Sequence, residues 1–368
     1  MGKIKVGIIG VGNCFAGLAQ GIEYYKRNPK REIVGIMHDK IGGYSIHDIE
    51  FVCGFDVADN KVGKPLAKAI YAEPNEVRWV DSVSNCSGAV HESPVLDGIG
   101  VYMQNRIVPV KSTKNEAQLK KEAIDEIKRS GARILLNYLP VGSQKATEFW
   151  ANVALEAGCA FVNNMPVFIA SDPKWAKKFA EKKLPVIGDD IKSQLGSTIV
   201  HRVMTKLCVD RGIEIDTTYQ RNVGGNTDFI NMLERERLES KKISKTEAVQ
   251  SQLKKRLPDD RIYVGPSDFI PFLGNRKLAF IRIEGKMFAD VPFDLEMRLN
   301  VDDKANSGGT TIEAIRCCQL ALDRGLGGEI NSASAYLMKH PPRQMGDSEA
   351  RDAVDAFIQG KGKDCAYA

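Results

Sequence analysis

The sequence predicts an α/β fold: a doubly wound parallel sheet interrupted by an inserted α+β domain. Three observations predict it. Short β-rich segments and longer helical ones alternate through the first half of the 368-residue chain. A strand, a glycine turn and a helix open that alternation. After about residue 194 the strands change to period-two polarity, and from 306 to 323 the helical pattern of the first part returns.

Residues 3–10 (KIKVGIIG) form the first strand, and 13–27 a helix with Leu18, Ile22 and Tyr25 on one face. Residues 32–37 (EIVGIM) and 48–57 are further strands. Helices at 115–129, 143–157 and 173–181 then alternate with strands at 133–137, 160–163 and 184–187, as βαβ units require. A helix with apolar positions Ile199, Val203 and Leu207 follows. Strands at 214–224, 278–286 and 291–301 alternate in polarity, which fits an antiparallel or mixed sheet, and 229–257 between them is charged and helical. The helix at 306–323 rejoins the first layer. The expected domains are 1–193 with 303–368, and an α+β domain, 194–302, inserted between them. The tail after 359 is expected to fray.

Composition narrows the function. With 52 Lys plus Arg against 47 Asp plus Glu, the net charge is only +5 and no basic stripe stands out, so a nucleic-acid partner is not expected. No run reaches the ~20 apolar residues of a membrane span. The 8 cysteines include no CxxC and read as buried apolar residues of a reducing cytoplasm. The 5 histidines are scattered without an HExxH.

Gly10-Val11-Gly12 follows a strand and opens a helix, the start of a dinucleotide fingerprint on a Rossmann-like fold. The first glycine makes the tight turn. The second admits a pyrophosphate to the free N–H groups of the helix, where Asn13 and Cys14 begin the first turn. The third glycine is missing, with Phe15 in its place. Two acids could end the second strand and hold a ribose. Asp56 is preferred to Asp39, because DNKVGKPLAKAI after it reads as turn plus helix; the spacing from Gly12 is 56 − 12 = 44, against the usual ~20, so an insertion must precede that strand. A helix cap is the plainer reading of Asp56.

The chemistry lies further on. GDDIKSQLGST (188–198) sets two acids and a lysine at a strand end, and NVGGNTDF (222–229) ends a strand with glycines, an amide and an acid. SKKISK (240–245), FLGNRK (272–277) and SAYLMKHPP (334–342) supply lysines. Together with FDVADNKVGK, LDGIG, NYLPVGS and FVNNMPVFIASDP, these motifs run in order from GVGNC to LMKHPP. On them the chain resembles the inositol 1-phosphate synthase family over nearly its whole length, in its shorter prokaryotic form.

The resemblance implies isomerisation of D-glucose 6-phosphate to 1L-myo-inositol 1-phosphate with tightly bound NAD. Carbon 5 is oxidised, carbon 6 loses a proton, the enolate closes on carbon 1, and the ketone is reduced again. It also implies a cytoplasmic homotetramer. Lys241 and Lys339 would exchange protons near the reacting oxygens, and Lys245 and Lys277 would hold the phosphate. Asp190, Asn226 and Asp228 would orient lysines and substrate hydroxyls, with Lys192 and Ser193 near substrate and nicotinamide. Tyr138, Pro140, Asn163, Asn164, Asp189 and Asp303 would line the cofactor, although Asp302 competes with Asp303 for that position. Prokaryotic members often use a divalent ion; Asp303, Ser307 and the cofactor's phosphates are the oxygen donors on offer, suiting Mg or Mn, with Zn also open. Eukaryotic members carry GDSK where this chain has GNRK, so the contact at Asn275 differs.

Each motif has a plainer reading. KKxxK on a helix is ordinarily a solvated face, Asp189 and Asp190 a helix cap, and Lys277 and Lys339 rest on the resemblance. Two rival functions follow: an NAD(P)-dependent sugar-phosphate or amino-acid dehydrogenase, which would accumulate NADH, and a non-catalytic nucleotide-binding regulator, which has no need of four separated cations.

Overall fold

Strand β1 (Ile4–Ile9) is an interior strand of the first sheet, paired on both edges and buried on both faces. Its Ile4, Val6 and Ile8 enter one core while Ile9 enters the other. The computed structural model describes residues 2–265, 268–361 and 364. After the turn at Gly10–Gly12, helix α1 (Asn13–Arg27) buries Phe15, Leu18, Ala19 and Ile22. Strand β2 (Ile49–Asp56) returns parallel to β1. The single-turn α2 (Leu66–Ala69) and edge strand β3 (Val90–Glu92) follow. Helix α3 (Glu116–Ser130) starts at a capping box between Asn115 and Gln118 and stops at Gly131, left-handed at φ +72°. Then come β4 (Ile134–Asn137), α4 (Gln144–Ala157), β5 (Ala160–Asn163), α5 (Pro173–Glu181) and β6 (Pro185–Ile187).

The chain next leaves this sheet. Helix α6 (Ser197–Asp210) leads to β7 (Glu214–Gly224), short α7 (Thr227–Asn231), α8 (Glu239–Gln250), β8 (Ile262–Val264), β9 (Asp268–Phe269), β10 (Arg276–Lys286) and β11 (Pro292–Asp302). The long α9 (Asp303–Asp323) brings it back, followed by β12 (Gly328–Glu329), α10 (Asn331–Leu337) and α11 (Asp347–Ile358). The first sheet has the order β12-β6-β5-β4-β1-β2-β3, and its neighbouring strands all pair in parallel among the described residues. The second runs β11-β10-β7-β8, with β9 also on β7; β10 is antiparallel to both neighbours, while β8 and β9 lie parallel to β7. It is therefore a mixed sheet. Helices α1 and α9 cover one face of the first sheet, α3 and α4 the other.

One expectation is corrected. Residues 32–37 form no strand. Gly35 turns at φ +91°, and the N–H groups of Met37 and His38 donate to the Glu313 carboxylate at 3.2 Å, which takes the donors a sheet would use. On α6, the apolar stripe faces outward: Val203 is 46% and Leu207 49% exposed. Its polar face is the buried one, because His201 Nε2 lies 2.7 Å from Thr218 Oγ1 and Arg202 donates to the carbonyls of Ala248 and Met345. The insertion before β2 is present as the loop between α1 and β2. Of the cysteines, Cys53, Cys86, Cys159, Cys208, Cys317 and Cys318 are buried and unpaired, Cys14 is half-buried, and Cys365 lies outside the described residues. The same is true of much of the expected frayed tail.

Candidate active site

The ends of two sheets face each other. The C-terminal ends of β1, β2, β4, β5 and β6 form one wall, where parallel sheets place ligands. The other wall comes from the end of β7, the start of β10 and the end of β11, held in register by the pairs Lys277–Gly224 and Lys277–Val301. Between them lies a cavity of about 100 Å³. Cys14, Tyr138, Asn164, Asp190, Ser193, Asp228, Lys241, Lys245, Lys277, Asp303, Ser307 and Lys339 line it. Folding thus brings all four expected lysines to one space, from three separate stretches of chain.

Lys241 and Lys245 lie one turn apart on α8, so their side chains share a face. Lys245 is buried and has no hydrogen-bond or ion-pair partner among the described residues. Burial, then the ammonium groups of Lys277, Lys241 and Lys339, push it well below the ordinary lysine range. Lys339 donates to Asp190 Oδ1 at 2.9 Å and to the Ile191 carbonyl at 2.6 Å. Burial lowers its titration and the Asp190 carboxylate restores only part of that. Asp190 also accepts from Ser244 Oγ at 2.7 Å. Burial would raise the Asp190 carboxyl, but Lys339 and Lys241 outweigh it and hold it below the usual range. Lys277 reaches Asp303 Oδ1 at 3.1 Å; against the effect of burial, Lys277 and Lys304 hold that carboxyl well below the ordinary range.

At the glycine turn, Gly10 has φ +86° and a Cβ there would stand 2.7 Å from the Tyr138 carbonyl oxygen, so only glycine fits. Gly12, by contrast, has open space where a Cβ would be. It is the N-cap of α1 and offers no side chain to the helix N–H groups. An uncapped helix start behind an open glycine fits a dinucleotide's phosphates. Asp56 Oδ2 accepts from Val11 N at 2.8 Å, and its Oδ1 from the N–H groups of Val57 and Ala58. Three of about four lone-pair sites are so taken, leaving one for a hydroxyl. The buried atoms Asn13 Nδ2, Asn164 Oδ1 and Asn226 Nδ2 lack partners among the described residues, as atoms awaiting a ligand do. Asn226 Oδ1 caps α7 and thereby fixes Asp228. Burial pushes the Cys14 thiol up to about 11, so it is no nucleophile.

Several expected residues are placed elsewhere. Asp189 is fully buried and turned away: its carboxylate accepts from Asn163 Nδ2 (2.7 Å), the N–H groups of Ile169, Ala170 and Ser171, and Ser171 Oγ (2.7 Å). It shapes the 167–171 turn, and Asn163, bonded to it and to Asn137, does the same. Pro140 lies beside the cavity wall without lining it. Lys192 is 1% exposed and donates to the Ala335 carbonyl at 2.7 Å, away from the substrate cavity. Of the two acids at the start of α9, Asp303 points to the cavity while Asp302 caps the helix through Lys304 N and Ala305 N. Asp303 and Ser307 do not make a metal centre. Lys277 occupies the Asp303 carboxylate, and the Ser307 hydroxyl donates to the Asp303 and Lys304 carbonyls. No group of three or more His, Cys, Asp or Glu side chains among the described residues could hold a metal. Among the described residues, no helix is long and apolar enough to cross a membrane.

Sequence reasoning missed Ser244 and, above all, Lys304. The Lys304 side chain is fully buried, with Nζ 2.5 Å from Asp228 Oδ2 and 3.4 Å from Cys14 Sγ. Burial disfavours its charge, but Asp228 and its neighbours outweigh that and raise its titration well above the ordinary value. A signal existed: a lysine in the first turn of a helix opposes the helix dipole and needs an acidic partner.

Comparison with known proteins adds a lineage to this geometry. Residues 196–304 match the family model for myo-inositol-1-phosphate synthase. The chain is 49% identical to the inositol-3-phosphate synthase of Mycolicibacterium smegmatis, covering 98% of this chain and 99% of that one. It is 48% identical to that of Mycobacterium tuberculosis, over 97% and 96%. Among solved structures, a myo-inositol-1-phosphate synthase-related protein from Thermotoga maritima superposes with a TM-score of 0.82 at 23% identity, covering 98% of this chain and 100% of that one, which bears on the fold alone.

Proposed function

The chain belongs to the inositol-3-phosphate synthase family, and from that premise we propose that its cavity isomerises D-glucose 6-phosphate to 1L-myo-inositol 1-phosphate. The observation that carries the reading is the convergence of Lys241, Lys245, Lys277 and Lys339 on one cavity beside the glycine turn. Glucose 6-phosphate brings a dianion, and the aldol step builds further negative charge on carbonyl oxygens. Fixed cations in a sheltered site answer both demands.

NAD, when bound along Gly10–Cys14 with Asp56 at a ribose, supplies the reversible two-electron oxidation of carbon 5. The chain's own side chains do the rest. Lys245 lacks an anionic partner, so a phosphate dianion would complete its coordination and restore its charge; Lys277 stands beside it. Lys339, lowered from the ordinary lysine range by burial and steered by Asp190, is suited to exchange the protons at carbon 6 and at the ring-closing oxygen, together with Lys241. Asn226 holds Asp228 at the cavity edge, toward the sugar hydroxyls. Asp303 tethers Lys277 and keeps its ammonium in the cavity.

A homotetramer is part of the same proposal. The outward apolar stripe of α6, with Phe272 at 81% and Phe288 at 97% exposure, supports an interface on the inserted sheet. Light scattering at micromolar concentration tests it, and a monomer would refute it.

The decisive experiment incubates purified protein with glucose 6-phosphate, first without and then with added NAD, and follows phosphorus NMR together with absorbance at the NADH band. One new phosphomonoester and no net NADH are expected. NADH accumulating without a cyclised product would instead identify a dehydrogenase.

A further inference from the structure

The two carboxylates that a divalent ion would need, Asp228 and Asp303, are each already paired with an ammonium, and one of those ammoniums is fully buried. Lys304 leaves the first turn of α9 and crosses toward α1 where Gly17 has no side chain; a Cβ on Gly17 would come within 3.1 Å of the Lys304 Cβ. Its ammonium ends between Asp228 on α7 and Cys14 at the start of α1, so it joins three elements beside the glycine turn. The adjoining Asp303 carboxylate is held by the Lys277 ammonium. Any cation bridging Asp228 and Asp303 would have to lie between two ammonium groups, and like charges at such range repel strongly. We propose that the Lys304 ammonium is the resident cation of this site, so that the chain turns over without a metal ion.

The inference rests on the isomerase reading above. Lys304 is a positioning residue: it fixes the Asp228 carboxylate at the cavity edge and supplies a permanent positive charge next to the dinucleotide turn. Burying an ammonium is costly unless it is paired, and this one is paired with a residue that the reading places at the substrate.

The test begins with the wild-type holoenzyme, treated exhaustively with a chelator and then analysed for metal by plasma mass spectrometry. Far less than one metal per chain is expected, with turnover by phosphorus NMR within about twofold whether or not Mg, Mn or Zn is added. Stoichiometric metal, or stimulation above about tenfold by any of these ions, overturns the inference. Conversion absent under every condition sinks the isomerase reading as well, whereas conversion that stops on metal removal sinks the inference alone. Lys304→Ala should lower kcat by about 100-fold or more while KM for glucose 6-phosphate changes little. Ethylammonium should restore part of that loss and ethanol none of it. Full activity without the lysine, or equal rescue by the alcohol, refutes a role for the charge. Lys304→Met fills the same passage without charge and replaces the alanine variant if circular dichroism shows the latter unfolded; the wild-type metal assay stands independently of both.

Discussion

Replacing Lys339 by Met separates what the Lys339–Asp190 pair does for stability from what it does for chemistry. The two side chains are 12% and 3% exposed and meet at 2.9 Å. At an effective dielectric of about 20 that distance corresponds to about 6 kcal/mol of gross attraction, much of it offset by desolvation. Removing the lysine leaves the Asp190 carboxylate buried with one hydroxyl donor, Ser244, and only the more distant field of Lys241. Breaking a buried pair from one side costs about 3–5 kcal/mol. Adding Asp190→Asn removes the orphaned charge. Asparagine also tolerates the left-handed backbone at this position, where φ is +62°. The double variant should therefore recover most of the lost stability in guanidinium unfolding followed by tryptophan fluorescence. It should recover no turnover, because the proton-exchanging amine is still absent, and its kcat should stay about 100-fold or more below wild type. A double variant as unstable as Lys339→Met, or one that regains activity along with stability, would refute the assignment of these roles.

Lys241→Ala should abolish product formation while NAD binding by calorimetry stays intact; retained turnover removes Lys241 from the chemistry. Gly12→Ala should fold normally, since nothing meets the added methyl, yet weaken NAD binding about tenfold or more, whereas Gly10→Ala should destabilise the fold itself. Thermal melts and calorimetry distinguish them, and equal behaviour of the two variants contradicts the geometry. Burial, and then the Arg202 guanidinium, lower Lys192 from 10.5 to about 7, so between those values the unfolded chain carries a proton that the native chain lacks. Stability assignable to Lys192 therefore rises with pH across that window. The stability advantage of Lys192→Met should accordingly shrink from pH 7 to pH 10, and a difference independent of pH refutes the assignment.

Hydrophobic periodicity and glycine turns made the first sheet legible because its strands are buried on both faces and its helices on one. The same rules failed where a buried surface is polar. Helix α6 carries the apolar positions Ile199, Val203 and Leu207, yet it packs through His201 and Arg202, whose hydrogen bonds to β7, α8 and the loop before α11 outweigh the apolar stripe. Residues 32–37 have strand composition, but a side-chain carboxylate on α9, 276 residues away from Met37, captures their N–H groups. No local window contains that competitor.

At the site, the residues legible in the sequence were those that can be read as motifs; which way each side chain points was not legible. Asp189 and Asp190 are adjacent, yet the chain reverses the roles that proximity suggests: one carboxylate is enclosed by five donors and builds a turn, while the other faces two lysines. Lys304 shows the same limit from the other side. It carries no motif, and its first-turn position is unfavourable for a cation unless an acid from elsewhere meets it, so its meaning appears only once Asp228 is brought to it. Counting it, the ammonium groups of Lys241, Lys245, Lys277, Lys304 and Lys339 face the carboxylates of Asp190, Asp228 and Asp303. Three ammoniums are matched within the chain, those of Lys277, Lys304 and Lys339. The two left without a carboxylate, Lys241 and Lys245, project from one face of α8, and the charge of Lys245, disfavoured while it is buried and unpaired, is restored when a phosphate dianion meets it. The anion that completes this electrostatic balance is thus required at α8, which makes that helix the element whose order should depend on substrate.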